Sequence, residues 1–186
     1  MSELLDRFLS YTAIDTESVP DVEQFPSSEK QKNLLRLLAN QLAETGVEVA
    51  MDDKYGYVYA KLPANNGNNG GYKLGFISHV DTSSAVSGKD VKAIVTKNDG
   101  GDIALAEGRT LSPDEFPSLR AHLGKTIISS DGTTLLGADD KAGVAVIMQA
   151  VRYLMTHPEV KHGELRVAFT PDEEVGRGTD FFDVAR

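Results

Sequence analysis

Apolar residues recur at helical spacing at the start of the chain, where Leu4, Leu5, Phe8 and Leu9 within residues 2–13 share one face. A second helix is predicted from Ser28: Ser28 and Gln31 form a capping-box pattern, Leu35, Leu38 and Leu42 follow on one face, and Gly46 ends the run. The pattern then shortens. Residues 47–50 and 57–62 are β-branched or aromatic runs, and the Asn- and Gly-rich residues 63–71 predict a surface connection. Residues 72–80 predict a buried strand with Leu74, Phe76 and Ile77 inside it, ending at the polar run SHVDTSS. Residues 93–96 and 103–105 are weaker strand candidates. Residues 126–129 and 133–136 flank Asp131-Gly132, a hairpin-turn pair. Residues 139–155 carry Val144, Ile147, Val151 and Leu154 on one stripe and predict a core-facing helix. A last strand over residues 164–170 is closed by Pro171. This mixed order of strands and helices, without an internal repeat, predicts an α/β fold built on a layered sheet.

In open α/β sheets, ligands bind beyond the carboxyl ends of strands, where polar groups distant in sequence can converge. Three clusters stand at such positions: His79 and Asp81, Asp139 and Asp140, and Glu173 and Glu174. Each has an ordinary explanation by itself. His79 can be a polar strand end, Asp139 and Asp140 can complement a helix dipole, and Glu173 and Glu174 can belong to a solvated turn. Together they are an imidazole and several carboxylates at the mouth of one sheet, a ligand set suited to zinc or manganese. A carboxylate can bridge two cations, and two metals roughly 3.5–4 Å apart are a recurring arrangement for hydrolysis. A further glutamate that binds no metal can then carry the proton.

Composition narrows the choice. The 186 residues are 40% apolar and 25% charged, enough for one buried core. The net charge of −9, without a basic cluster, argues against nucleic acid as a partner. No apolar run is long enough for a membrane span, and the opening MSELLDRFLS lacks the layout of a secretory signal. There is no cysteine, so any metal must be held by His and carboxylates, which fits a reducing cytoplasm. His122, His157 and His162 have no spacing partner and read as surface or structural residues, and Lys141 reads as a partner for a neighbouring acid.

The segments Ser78-His79-Val80-Asp81-Thr82, Gly137-Ala138-Asp139-Asp140-Lys141-Ala142-Gly143 and Thr170-Pro171-Asp172-Glu173-Glu174-Val175-Gly176 resemble, in order and spacing, the M20 family of co-catalytic zinc peptidases. Residues 100–105 (GGDIAL) and 111–119 (LSPDEFPSL) resemble its tripeptide-aminopeptidase branch, and the similarity extends over essentially the whole chain. The resemblance implies a layered mixed sheet with flanking helices, part of the catalytic domain of a zinc-dependent exopeptidase fold. It implies a cytoplasmic enzyme that releases the N-terminal residue of tripeptides with two zinc ions, Mn2+ or Co2+ being alternatives. On the family pattern His79 binds one zinc, Asp139 bridges, and Glu174 binds the other. Asp81 orients His79, since a carboxylate on the second imidazole nitrogen sets the tautomer. Glu173 is the general base and then the acid for the leaving amine. Asp140 follows the bridging residue across a strained peptide bond.

The same resemblance makes residues 1–186 the amino-terminal part of the metal-binding catalytic domain. The family's further Asp and distant His ligands, its lid/dimerisation domain and the carboxyl-terminal part of the catalytic domain are not among them. With one ligand fewer on each ion, these residues alone are expected to turn over little or no substrate. A face left uncovered by the lid would favour a homo-oligomer. The alternatives are a non-catalytic metal-binding or interaction fragment, and a related dipeptidase or amino-acid deacylase.

Overall fold

The computed structural model describes residues 2–67 and 71–186. Its helices are α1 (Glu3–Thr12), α2 (Gln31–Glu44), α3 (Ser118–Ala121) and α4 (Ala138–Thr156). Its strands are β1 (Glu48–Met51), β2 (Val58–Leu62), β3 (Leu74–His79), β4 (Ala93–Lys97), β5 (Ile103–Ala104), β6 (Thr110–Leu111), β7 (Thr126–Ser130) and β8 (Leu165–Thr170). The main sheet runs β1-β2-β8-β3, with β8 antiparallel to β2 and parallel to β3. In the parallel pair His79 lies opposite Thr170, so SHVDT and PDEE leave the sheet side by side. The architecture is a mixed α/β fold with a mixed sheet and flanking helices.

Strand alternation divides the core into two layers. On one face Val58, Ala60, Leu62, Val167 and Phe169 pack with Tyr11 of α1, Leu34, Leu35, Leu38 and Leu42 of α2, and Val144, Met148 and Val151 of α4. Each fully buried α2 leucine contributes about 1.5–3 kcal/mol by leaving water. On the other face Tyr57, Tyr59 and Ala168 pack with Phe25, Tyr55 and Phe182. In α1, Ser2 caps the first turn by accepting the Leu5 N–H at 3.3 Å. Among the described residues no helix is long and apolar enough to cross a membrane.

Three local expectations are corrected. Leu74, Phe76 and Ile77 are 53%, 41% and 62% exposed rather than buried, because among the described residues β3 pairs with β8 alone and forms the sheet edge. The capping box at Ser28 does not form. Helix α2 starts at Gln31 behind Lys30, which makes no side-chain cap, while Ser28 Oγ donates to the Glu17 carbonyl and Gln31 turns to Asp172. The Asp131-Gly132 hairpin is also absent. Asp131 instead accepts the N–H and hydroxyl of Thr133, Leu135 N–H donates to the Ser87 carbonyl, and β7 finds its partner in β4. Within the connection at 63–71, residues 68–70 lie outside the described residues, whereas Asn65 is tied by three hydrogen bonds to Val160 and His162.

Candidate metal centre

His79 is the last residue of β3 and is buried. The chain beyond it is stitched to residues 16–18. Ser18 N–H donates to the Thr82 carbonyl at 3.0 Å, Thr82 N–H to the Thr16 carbonyl at 3.3 Å, and the Thr16 hydroxyl to the Val80 carbonyl at 2.7 Å. This extended ledge carries Asp81, which is fully buried. His79 Nδ1 faces the Asp81 main-chain carbonyl at 3.0 Å and its carboxylate at 3.4 Å.

Asp139 arrives from the opposite side of the site. Gly137 opens the turn at φ 74°, in left-handed backbone, and a Cβ there would meet Thr82 Cγ2 at 3.0 Å. Asp139 and Asp140 have non-helical backbone and are joined by a cis peptide bond, so regular helix begins at Lys141. Asp140 turns inward, where its carboxylate accepts the Ser78 hydroxyl and the Gly143 N–H. Asp139 turns outward, with Oδ1 at 3.1 Å from His79 Nε2. Lys141, buried beneath, donates to the Ile14 carbonyl at 2.7 Å and not to an acid. Burial pulls its ammonium down to about 8, with Asp15 opposing.

Glu173 and Glu174 follow β8 through Pro171 and Asp172, whose φ of 57° reverses the chain. Both N–H groups donate to the Asp81 carboxylate, Glu173 to Oδ1 at 2.9 Å and Glu174 to Oδ2 at 3.0 Å. One carboxylate therefore joins the ends of β3 and β8. Glu173 Oε2 lies 3.8 Å from His79 Nε2. One ligand atom from each of His79, Asp139 and Glu174 lies within 4.8 Å of the others, a nitrogen and oxygen donor group that can hold a divalent cation. Glu174 also lines a groove of about 360 Å3 with Val19, Asp21, Ser84 and Arg177.

The electrostatics fit that donor group. Burial pushes the Glu174 carboxyl up; His79 opposes this, and the nearby charges of Asp81, Asp139 and Glu173 add to it. This is the repulsion that a cation would relieve. Burial alone would lower His79, but the Asp81 and Asp139 carboxylates outweigh it and hold the imidazolium up to about 9.

Of the residues singled out in the sequence, His79, Asp139 and Glu174 meet, Asp81 and Glu173 adjoin them, and Asp140 faces Ser78 instead. His122, His157 and His162 stand outside this group. Thr16, Ser18 and Ser27 carry no signal in the sequence, Gln31 carries only that of a helix cap, and Ser78 and Asp172 stand within the motif segments beside His79 and Glu173 without a role of their own.

The family described as Peptidase family M20/M25/M40 matches residues 132–183. Over its whole length the chain is 54% identical to peptidase T of Desulfitobacterium hafniense, of which it covers 45%. It is 50% identical, over 99% of its length, to peptidase T of Geobacillus thermodenitrificans, again covering 45% of that protein. The chain thus spans less than half the length of these curated relatives. Among solved structures, aminopeptidase PepT from Bacillus cereus superposes with a TM-score of 0.65 at 28% identity, over 97% of this chain and 39% of that one.

Proposed function

We propose that the protein is a metal-dependent aminopeptidase of peptidase family M20/M25/M40 that releases the N-terminal residue of tripeptides, a reading supported by the match over residues 132–183 and the likeness to peptidase T. The single observation that carries the reading is the meeting of His79, Asp139 and Glu174, with Glu173 beside them, at the carboxyl ends of β3 and β8. In this proposal His79 and Glu174 would each hold one of two zinc ions and Asp139 would be shared between them, with Mn2+ and Co2+ as alternatives. The tripeptide class rests on the likeness of residues 100–105 and 111–119 to that branch of the family, and the name aminopeptidase PepT of the Bacillus cereus structure supports the aminopeptidase class. The cysteine-free composition supports a cytoplasmic setting.

Bound divalent metal supplies a Lewis acid that polarises the scissile carbonyl and lowers the pKa of water. The chain's own residues do the rest. His79 Nδ1–H donates to the Asp81 carbonyl, so Nε2, which faces Asp139 at 3.1 Å, is the nitrogen that would bind metal once its proton is displaced. Glu173 takes the proton from water as its oxygen bonds to the carbonyl carbon, and passes that proton to the amine nitrogen as the C–N bond breaks. Asp81 holds the backbone of Glu173 and Glu174, so the same residue sets the ligand and the proton carrier.

The test is hydrolysis of a tripeptide by the intact protein. Chelation should abolish release of the N-terminal amino acid, and Zn2+ should restore it with about two ions bound per chain. Glu173→Gln should lower kcat by about 10²–10⁴-fold while metal binding is kept. Activity that survives both chelation and Glu173→Gln would overturn the mechanism. Turnover of dipeptides or N-acyl amino acids in place of tripeptides would move the substrate class, and zinc uptake with no turnover would leave a metal-binding module.

A further inference from the structure

We propose that Gln31, together with Ser27, is a positioning residue that sets Glu173 and Glu174 by clamping Asp172; this rests on the reading of Glu173 as proton carrier and Glu174 as ligand. Gln31 is the residue that the sequence pattern assigns to a helix cap, yet its amide spans the molecule to a residue 141 positions away. Its Nε2 donates to Asp172 Oδ1 at 2.6 Å, and its Oε1 accepts the Asp172 N–H at 3.0 Å. A single side chain thus fixes both the backbone and the carboxylate of one residue.

Ser27 completes the clamp. Its N–H donates to Asp172 Oδ2 at 2.6 Å and its hydroxyl to Oδ1 at 2.5 Å. Gln31 and Asp172 are fully buried and Ser27 is 6% exposed, so water cannot replace a lost partner. The clamped residue is also the one that turns the chain. With φ at 57°, Asp172 occupies left-handed backbone that non-glycine residues adopt only where their surroundings hold them. That turn is what aims the next two N–H groups at the Asp81 carboxylate. Beyond it, Arg177 Nη1 donates to the Val22 and Gln24 carbonyls, so residues 22–31 grip the Glu173-Glu174 turn at both ends. A proton carrier displaced by about 1 Å can lose about 10²-fold in rate, so the clamp bears on chemistry and not only on folding.

The experiment compares Gln31→Met with Leu38→Ala in the intact protein, following kcat and KM together with amide exchange at Glu173 and Glu174 in the chelated protein. Gln31→Met keeps the length of the side chain and removes both hydrogen bonds to Asp172, along with the longer ones to Ser27 and Ser28 Oγ. Leu38→Ala destabilises the same helix from its apolar side, where Leu38 is fully buried. We expect Gln31→Met to lower kcat about tenfold or more with KM within about twofold, and to speed exchange of the two amides about tenfold or more. Leu38→Ala should leave both readouts within about twofold at a comparable loss in Tm. If the two variants are indistinguishable in exchange and in kcat, the clamp is refuted. Should Gln31→Met fail to fold, Ser27→Ala, which removes one donor to Asp172, carries the same comparison. If the unsubstituted protein takes up no Zn2+ and cleaves no peptide, the metal reading fails by itself, and amide exchange in the chelated protein still decides whether Gln31 sets the turn.

Discussion

The rim of the candidate metal centre and the segment over residues 83–136 use polar side chains in opposite ways. At the rim the hydrogen bonds join residues far apart in sequence: Ser27 and Gln31 to Asp172, Ser78 to Asp140, and Asp81 to Glu173 and Glu174. Most of these side chains are buried. In residues 83–136 the side-chain bonds are mainly local, as in Asp99 to Gly101, Ser112 to Asp114 and Asp131 to Thr133, and Ile103 is the segment's one buried hydrophobic residue. A buried polar bond that loses its partner stays unpaired, whereas an exposed one finds water. The first region should therefore transmit damage into the site and the second should absorb it.

The largest break in that comparison is expected from Asp81→Ala. It strands the Glu173 and Glu174 N–H groups, each at a cost of about 1–3 kcal/mol, and removes the carboxylate beside His79. Zinc affinity, read by calorimetry, should fall about 10–100-fold. Gly143→Ala should come next. A Cβ at 143 would press on the Asp140 carboxylate and reach 2.6 Å from Ser78 Oγ. Chemical denaturation should show a loss of about 1–3 kcal/mol, with weaker zinc binding because Asp139 moves with its neighbour.

A smaller effect, specific to the rim, is expected from pH. In the folded, metal-free protein His79 is held up to about 9, against an ordinary value of 6.5. A raised imidazolium pKa adds stability that is fully present below pH 6.5 and is lost as pH rises through about 9. The Tm of the chelated protein should fall across that window relative to His79→Gln, and saturating zinc should remove the difference. A flat comparison would mean that the Asp81 and Asp139 carboxylates do not hold the proton. The smallest effect belongs to the other region. Arg120→Ala breaks the exposed pair with Asp114 and should change stability by no more than about 0.5 kcal/mol, with peptide hydrolysis unchanged. A large loss there would erase the contrast between the two regions.

Much of this arrangement is legible in the sequence. The spacing of Leu4, Leu5, Phe8 and Leu9 marks α1, and the stripe from Val144 to Val151 marks α4, because helix periodicity is written in residues three and four apart. The three polar clusters lie where apolar runs end, so SHVDT, GADDKAG and TPDEEVG mark the rim in the sequence itself. Other features depended on partners chosen over long range. Leu74, Phe76 and Ile77 read as buried, but a run of apolar residues does not state how many neighbours its strand will have, and β3 has β8 alone among the described residues. Asp131-Gly132 reads as a hairpin, but the Thr133 contacts and the β4 pairing override that local pattern.

Gln31 shows the division most clearly. The sequence by itself determined the helix it begins and the acidic pair it serves, since both are encoded by short-range pattern. That its amide meets Asp172, and that Asp81 receives two N–H groups from the end of another strand, was decided only by the tertiary structure. The reason is physical: a buried polar group takes whichever partner the packing of distant segments brings within reach, and no local spacing encodes that choice.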